Sequence, residues 1–275
     1  MTPGGNLYPK VILSMFQVIQ SLQYLCVRIL NICMKVNAQH IIDETVAIFE
    51  NSKAGELFKK NSNTVSNADY KLLHPAPLTA TSIFIDCDQF KNDISQWQPA
   101  FEKWGKEHTH LPRYGAALVN QSGAIVKNDP INGSLAAWNK DNPDIPLIET
   151  DCRLTTPLMS IKSLQPLQIF NNYWCRSNIL KWDIDARFMP HIDTIVPSPW
   201  IRLWASMNPE IIIRFYNPES QELEAVNFEP GRVYIIDTSI VHDAYATADN
   251  VYQLFLSVDP SAVPVILSVK DPKPV

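Results

Sequence analysis

Polar and apolar residues recur along this chain with two different periods, and the change from one to the other divides it. Around residues 11–27 (VILSMFQVIQSLQYLCV), Lys10, Ser14, Gln17, Ser21, Arg28, Asn31 and Lys35 fall on one helical face, with Gln20 at its margin and Gln23 opposite. That stripe predicts an amphipathic docking helix over residues 1–36. A membrane span or surface anchor is the alternative, and no small-residue cleavage signature marks a secretory signal. The run from Met34, MKVNAQHIIDETVAIFENS, also reads as an amino terminus of its own. Ile41, Ile42, Val46, Ile48 and Phe49 predict a second helix within residues 37–60. Residues 61–69 (NSNTVSNAD) and the prolines Pro75 and Pro77 read as a linker, so 37–74 is helix plus linker and a compact unit spans 75–275. Within it, Phe90, Ile94, Trp97, Phe101 and Trp104 predict a helix over 90–104 that Pro99 kinks or splits.

Period-two and β-branched patterns then take over. Residues 114–120, 167–171, 178–184, 200–207, 211–216, 232–237 and 251–258 predict short strands bounded by Pro, Gly, Asn or Asp, the spacing of a sandwich, barrel or jelly roll. There is no internal repeat and no low-complexity tract.

Composition narrows the classes of function. The 275 residues are 46% apolar and 19% charged with a net charge of −5, which excludes a disordered chain and one whose main partner is a nucleic-acid backbone. Eight glycines without a GxxxxGK[ST] or GxGxxG motif speak against nucleotide chemistry. Cys26, Cys33, Cys87, Cys152 and Cys175 are scattered, with no CxxC pair; free thiols in a reducing, cytoplasmic setting are expected, with peripheral membrane association left open by the amino-terminal helix.

The informative chemistry lies in Arg187-Phe-Met-Pro-His-Ile-Asp193 and Val233-Tyr-Ile-Ile-Asp-Thr-Ser-Ile-Val-His-Asp243. His191 and Asp193 flank Ile192 at a strand end, so imidazole and carboxylate point to one side. His242, 49 residues after Asp193, supplies a third ligand if the fold returns it to the same place. Two histidines and one carboxylate on one face leave octahedral positions open, which suits Fe(II) oxygen chemistry better than structural zinc or calcium. His108 and His110 follow a charged helix end and read as surface loop.

Residues from about 113 to 258 resemble the 2-oxoglutarate/Fe(II)-dependent oxygenases, with the aspartyl/asparaginyl and free-proline hydroxylases as the nearest branch. The residues that carry the resemblance are Met189-Pro-His-Ile-Asp193, Trp200-Ile-Arg-Leu-Trp204, Gly231-Arg-Val-Tyr-Ile-Ile-Asp237 and His242. It implies a mainly β protein, a double-stranded β-helix (cupin-like jelly roll) flanked by amino-terminal helices. It also implies His191, Asp193 and His242 as iron ligands, and 2-oxoglutarate and O2 as co-substrates. The family commonly has an arginine ten residues beyond the second histidine, on the far carboxylate of 2-oxoglutarate; Tyr252 stands there instead. A phenol offers a hydrogen bond but no charge, so Tyr252 is expected to contribute one hydrogen bond to that carboxylate and Arg202 to anchor it, with Trp204 on the same strand face.

Arg176 and Ser177, in the Trp174–Ser177 stretch, are further co-substrate candidates, with Arg214 and Arg232 as weaker ones. Arg113 and Tyr114 are candidate substrate contacts, or a strand-start pair facing solvent. Asp237 reads as a supporting acceptor or a turn aspartate. The expected substrate is an amino acid, a peptidyl side chain or another small polar metabolite, with no nucleic acid. The alternative is a non-catalytic metal-binding cupin-like scaffold. The helix of residues 1–36 would dock on the barrel, on a second subunit or on a membrane surface.

Overall fold

The structure, a computed structural model, describes residues 36–61, 63–104, 112–126 and 135–271, apart from the side chains of residues 136 and 137. The segment 1–35 and the His108–His110 pair lie outside the described residues. The helices are α1 (Ala38–Glu50), α2 (Lys53–Lys60), α3 (Asn67–Leu73), α4 (Cys87–Ser95), α5 (Leu135–Asp141) and α6 (Val263–Val269). The strands are β1 (Leu78–Phe84), β2 (Glu102–Lys103), β3 (Arg113–Asn120), β4 (Leu154–Thr155), β5 (Ser177–Trp182), β6 (Arg187–His191), β7 (Ile201–Ser206), β8 (Ile211–Asn217), β9 (Glu222–Ala225), β10 (Arg232–Ile236), β11 (His242–Ala246) and β12 (Val251–Val258).

The last eight strands are dealt into two antiparallel sheets. One has the order β10-β7-β12-β5 and is extended by β1 at one edge and by β3, with β2 and β4, at the other; the second has the order β6-β11-β8-β9. This is the topology of a double-stranded β-helix. The larger sheet is buried on both faces, which is why its strands read as near-continuous apolar runs. Along β12, Tyr252, Leu254 and Leu256 pack outward with Phe90, Ile94, Leu164, Leu167 and Phe170. Val251 and Phe255 face inward to Trp182, Trp204, Tyr234 and the smaller sheet's Phe215.

The departures from the sequence pattern have local causes. Residues 167–171 are not a strand: Lys162–Phe170 is a 3-10 helix, its buried Leu164, Leu167 and Phe170 recurring at every third residue. The helix expected over 37–60 is two, because Ser52 caps α2 by accepting from Gly55 N at 3.0 Å. Gly55 is obligatory there, since a Cβ would stand 1.9 Å from the Phe49 carbonyl oxygen. The helix expected over 90–104 ends at Ser95, and Pro99 sits in the separate 3-10 turn Gln98–Ala100. Val65 and Leu73, before residue 75, belong to the same core as the outer face of the larger sheet. Among the described residues no helix is long and apolar enough to cross a membrane.

Candidate metal centre

Strand β6 ends at His191, β11 begins at His242, and the ladder between them pairs these two residues directly. Their ring centroids are 4.5 Å apart. Asp193 lies two residues past β6, and its backbone N–H donates to Thr238 O at 2.9 Å, which ties it to the turn between β10 and β11. One ligand atom from each of His191, Asp193 and His242 then lies within 4.8 Å of the other two.

The histidine tautomers follow from their partners. Nδ1 of His191 lies 2.6 Å from Met189 O and Nδ1 of His242 lies 2.8 Å from Ile240 O. A carbonyl only accepts, so each Nδ1 carries the hydrogen and each Nε2 of the neutral ring presents a lone pair to the shared space. Those Nε2 atoms are 3.3 and 3.9 Å from the two oxygens of Asp193. Phe215 stacks on His242 at 5.6 Å, and Phe188 stands 5.6 Å from His191. Burial pulls the His242 value down to about 4, helped by the neighbouring His191. Burial works against Asp193 ionising, yet His191's hydrogen bond and charge, then His242 and Arg202, hold it well below the usual carboxylate range. Burial lowers His191 too, but the bond and charge of Asp193 outweigh it and raise it. The donor set of two imidazole nitrogens and one carboxylate on one side fits a ferrous ion with open coordination positions.

The other candidates separate by face. Arg202 is inward, buried and already paired: Nη1 donates to Ser257 Oγ at 2.6 Å and Nη2 to Glu149 Oε1 at 3.2 Å. Glu149 also accepts from Arg176 Nη1 at 3.3 Å and from Ser257 Oγ at 3.3 Å. Two guanidiniums thus share one buried carboxylate. Trp204 is fully buried on the same inner face, edge-on to Phe228 with ring centroids 5.1 Å apart. Ser177 is committed to the backbone, donating to Cys175 O at 3.0 Å and accepting from Ser257 N at 3.0 Å, so its hydroxyl does not face the centre.

Two expectations are corrected by strand parity. Tyr252 packs outward against Phe90 and Phe101, accepts from Gln98 Nε2 at 3.0 Å, and lines an open cleft of about 410 Å³ with Lys91, Asn208 and Asp249. It cannot assist Arg202 on the inner face; Gln253 is the inward residue at that point. Tyr114 likewise faces out beside Lys181, whereas Arg113 turns in over the Phe188 ring. Arg214 is held by Asp243 and Arg232 by Glu229, so neither charge is free for a ligand.

Glu149, Tyr70 and Gln253 are the site neighbours that sequence reasoning missed. Tyr70, from α3, donates to Asp237 Oδ1 at 2.5 Å, and Asp237 also accepts from Ser239 N and Oγ. This fixes the turn whose Thr238 and Ile240 carbonyls hold Asp193 and His242. Alternation along β12 alone could have identified Gln253, but no local signal marks Glu149 or Tyr70.

No family model matches the chain, and no curated protein matches it. Among solved structures it is similar to a Pseudomonas putida prolyl-4-hydroxylase, at 10% identity and TM-score 0.37 over 70% of this chain and 95% of that one. It is also similar to an oxidoreductase of the 2OG-Fe(II) oxygenase family from Burkholderia pseudomallei, at 11% identity and TM-score 0.33 over 62% and 78%. KdgF from a Halomonas species is a third, at 14% identity and TM-score 0.24 over 30% and 68%. Likenesses of this degree carry no argument about chemistry, which rests on the side chains.

Proposed function

We propose that the chain is an Fe(II)- and 2-oxoglutarate-dependent oxygenase that hydroxylates an amino acid, a peptidyl side chain or another small polar metabolite. The observation that carries this reading is the clustering of His191, Asp193 and His242 within 4.8 Å, with both Nδ1 atoms bound to backbone carbonyls. Ferrous iron held there would supply the activation of O2, coupled to decarboxylation of 2-oxoglutarate to succinate and CO2, that inserts one oxygen atom into a C–H bond.

The protein's own residues prepare the site. Met189 O and Ile240 O orient the imidazoles, while Thr238 O orients the Asp193 backbone. Phe188 and Phe215 flank the histidines with apolar walls. Arg202, buried beside Glu149, adds a positive charge that helps keep Asp193 ionised. The reading places the protein in the cytoplasm, with a small-molecule or side-chain partner and no nucleic acid.

A non-catalytic metal-binding scaffold is the second reading, favoured by Glu149 already occupying Arg202. Succinate formation separates the two. The oxygenase reading expects release that requires both Fe(II) and 2-oxoglutarate and disappears in His191→Ala, Asp193→Ala and His242→Ala. Metal binding by the parent with no consumption of 2-oxoglutarate, under any candidate substrate, would establish the scaffold.

A further inference from the structure

The inner face of the larger sheet carries polar atoms that nothing in the described protein satisfies. Arg113 opens β3, is 3% exposed, and has neither Nε nor Nη1 hydrogen-bonded. Its guanidinium carbon lies 4.0 Å from the centroid of Phe188, and no carboxylate among the described residues pairs with it. With burial unopposed, its pKa is pulled down to about 10. Gln253, on β12, is fully buried with neither amide atom bonded, and the indole N–H groups of Trp182 and Trp204 are also unpaired.

Arg113 and Gln253 lie on the same inner face of the sheet, with β5 between their strands. Arg113 pairs with Trp182 across β3 and β5, and the next inward row runs Gly115, Leu180, Gln253. Gly115 contributes no side chain beside Arg113, and in that row Leu180 of β5 stands between it and Gln253. Towards the metal ligands, Phe188 touches both ends: Arg113 on one side and, with centroids 5.6 Å apart, the His191 ring on the other. A single aromatic ring therefore separates the guanidinium from the centre.

An unpaired buried cation is among the costliest features a core can hold, and such charges persist where a ligand completes them. The guanidinium fork matches a carboxylate in two parallel hydrogen bonds, and an amide N–H reaching the same carboxylate from across β5 would add a third. We infer that Arg113, assisted by Gln253, receives the far carboxylate of the dicarboxylate co-substrate whose keto-acid end lies at the His191, Asp193 and His242 centre. This rests on the oxygenase reading, and it moves the anchor away from Arg202, whose charge Glu149 already matches. It also places the anchor on β3, outside the eight strands β5 to β12.

The test compares two ligands on the full chain loaded anaerobically with Co(II), followed by titration calorimetry. 2-Oxoglutarate carries the far carboxylate; 2-oxobutanoate keeps the keto acid and lacks it. Arg113→Met is expected to weaken 2-oxoglutarate binding by about thirtyfold or more while leaving 2-oxobutanoate within about twofold. Gln253→Met should weaken 2-oxoglutarate about fivefold, and Tyr252→Phe should leave both ligands unchanged. Arg113→Met without ligand should unfold at the parent temperature or higher, because it removes an unpaired buried charge; a merely structural arginine would lower it. Equal loss of both ligands in Arg113→Met, no loss of either, or a selective loss in Arg202→Met instead, would overturn the assignment. If Arg113→Met fails to fold, Gln253→Met decides by the same selectivity. A parent that binds neither keto acid refutes the oxygenase reading itself, and the inference with it.

Discussion

Removing the Glu149 carboxylate should destabilise the protein more than removing either arginine that it serves. Its side chain is 8% exposed and is shared by Arg176 Nη1 at 3.3 Å, Arg202 Nη2 at 3.2 Å and Ser257 Oγ at 3.3 Å. Glu149→Ala removes the carboxylate that both buried guanidiniums share, and breaking a buried pair from one side costs about 3–5 kcal/mol. For a chain of this size, at about 2–4 °C per kcal/mol, Tm should fall by about 6–20 °C. Arg202→Ala leaves Glu149 paired with Arg176 and should cost about 1–3 kcal/mol. The assay is thermal unfolding by circular dichroism at pH 7, backed by urea midpoints with an unchanged slope. A triple replacement of Glu149, Arg176 and Arg202 by Met should recover most of the loss, since an apolar substitute for a whole buried ionic cluster is often neutral or better. A Glu149→Ala protein as stable as the parent, or a triple variant weaker than the single one, would refute the reasoning.

Tyr70→Phe removes the phenol that fixes Asp237, and through it the carbonyls that hold Asp193 and His242. It should weaken Co(II) affinity about three- to tenfold with the secondary structure unchanged, and parent-like affinity would contradict the coupling. Ion binding must also compete with protonation of His191, which Asp193 favours, whereas His242, pushed down to about 4, has no extra proton to lose at neutral pH. Affinity should therefore rise with pH through the histidine range and level off above the raised value of His191. Calorimetry in buffers of different ionisation enthalpy should read a proton release on ion binding that shrinks as pH rises, and no release at any pH would contradict it.

The eight-strand barrel and the approach of His191 to Asp193 were legible because they depend on short-range patterns. An apolar run bounded by turn residues marks β7, β8, β10 and β12, and the His-x-Asp alternation brings His191 and Asp193 to one side. Strand β9 left no such mark, because Glu222–Ala225 is a four-residue edge strand in which only Leu223 is even partly buried. The segment 167–171 was misread because β-propensity cannot distinguish an apolar strand from a 3-10 face with period three. Counting ten residues from His242 selected Tyr252, whereas side-chain alternation decides which residue looks into the barrel, and that residue is Gln253. Glu149 acts on Arg202 and Ser257 across 53 and 108 positions, a relation that only the folded chain expresses.

The central claim is that His191, Asp193 and His242 hold one ferrous ion with positions left for a bidentate keto acid. Anaerobic titration of the parent with Fe(II) and then 2-oxoglutarate, followed by visible absorption, tests it most directly. The account predicts one ion per chain, a new charge-transfer band that saturates at one 2-oxoglutarate per ion, and loss of both in each alanine variant of the triad. An ion that binds equally well to His191→Ala, Asp193→Ala and His242→Ala, or a loaded parent whose spectrum 2-oxoglutarate leaves unchanged, would contradict it.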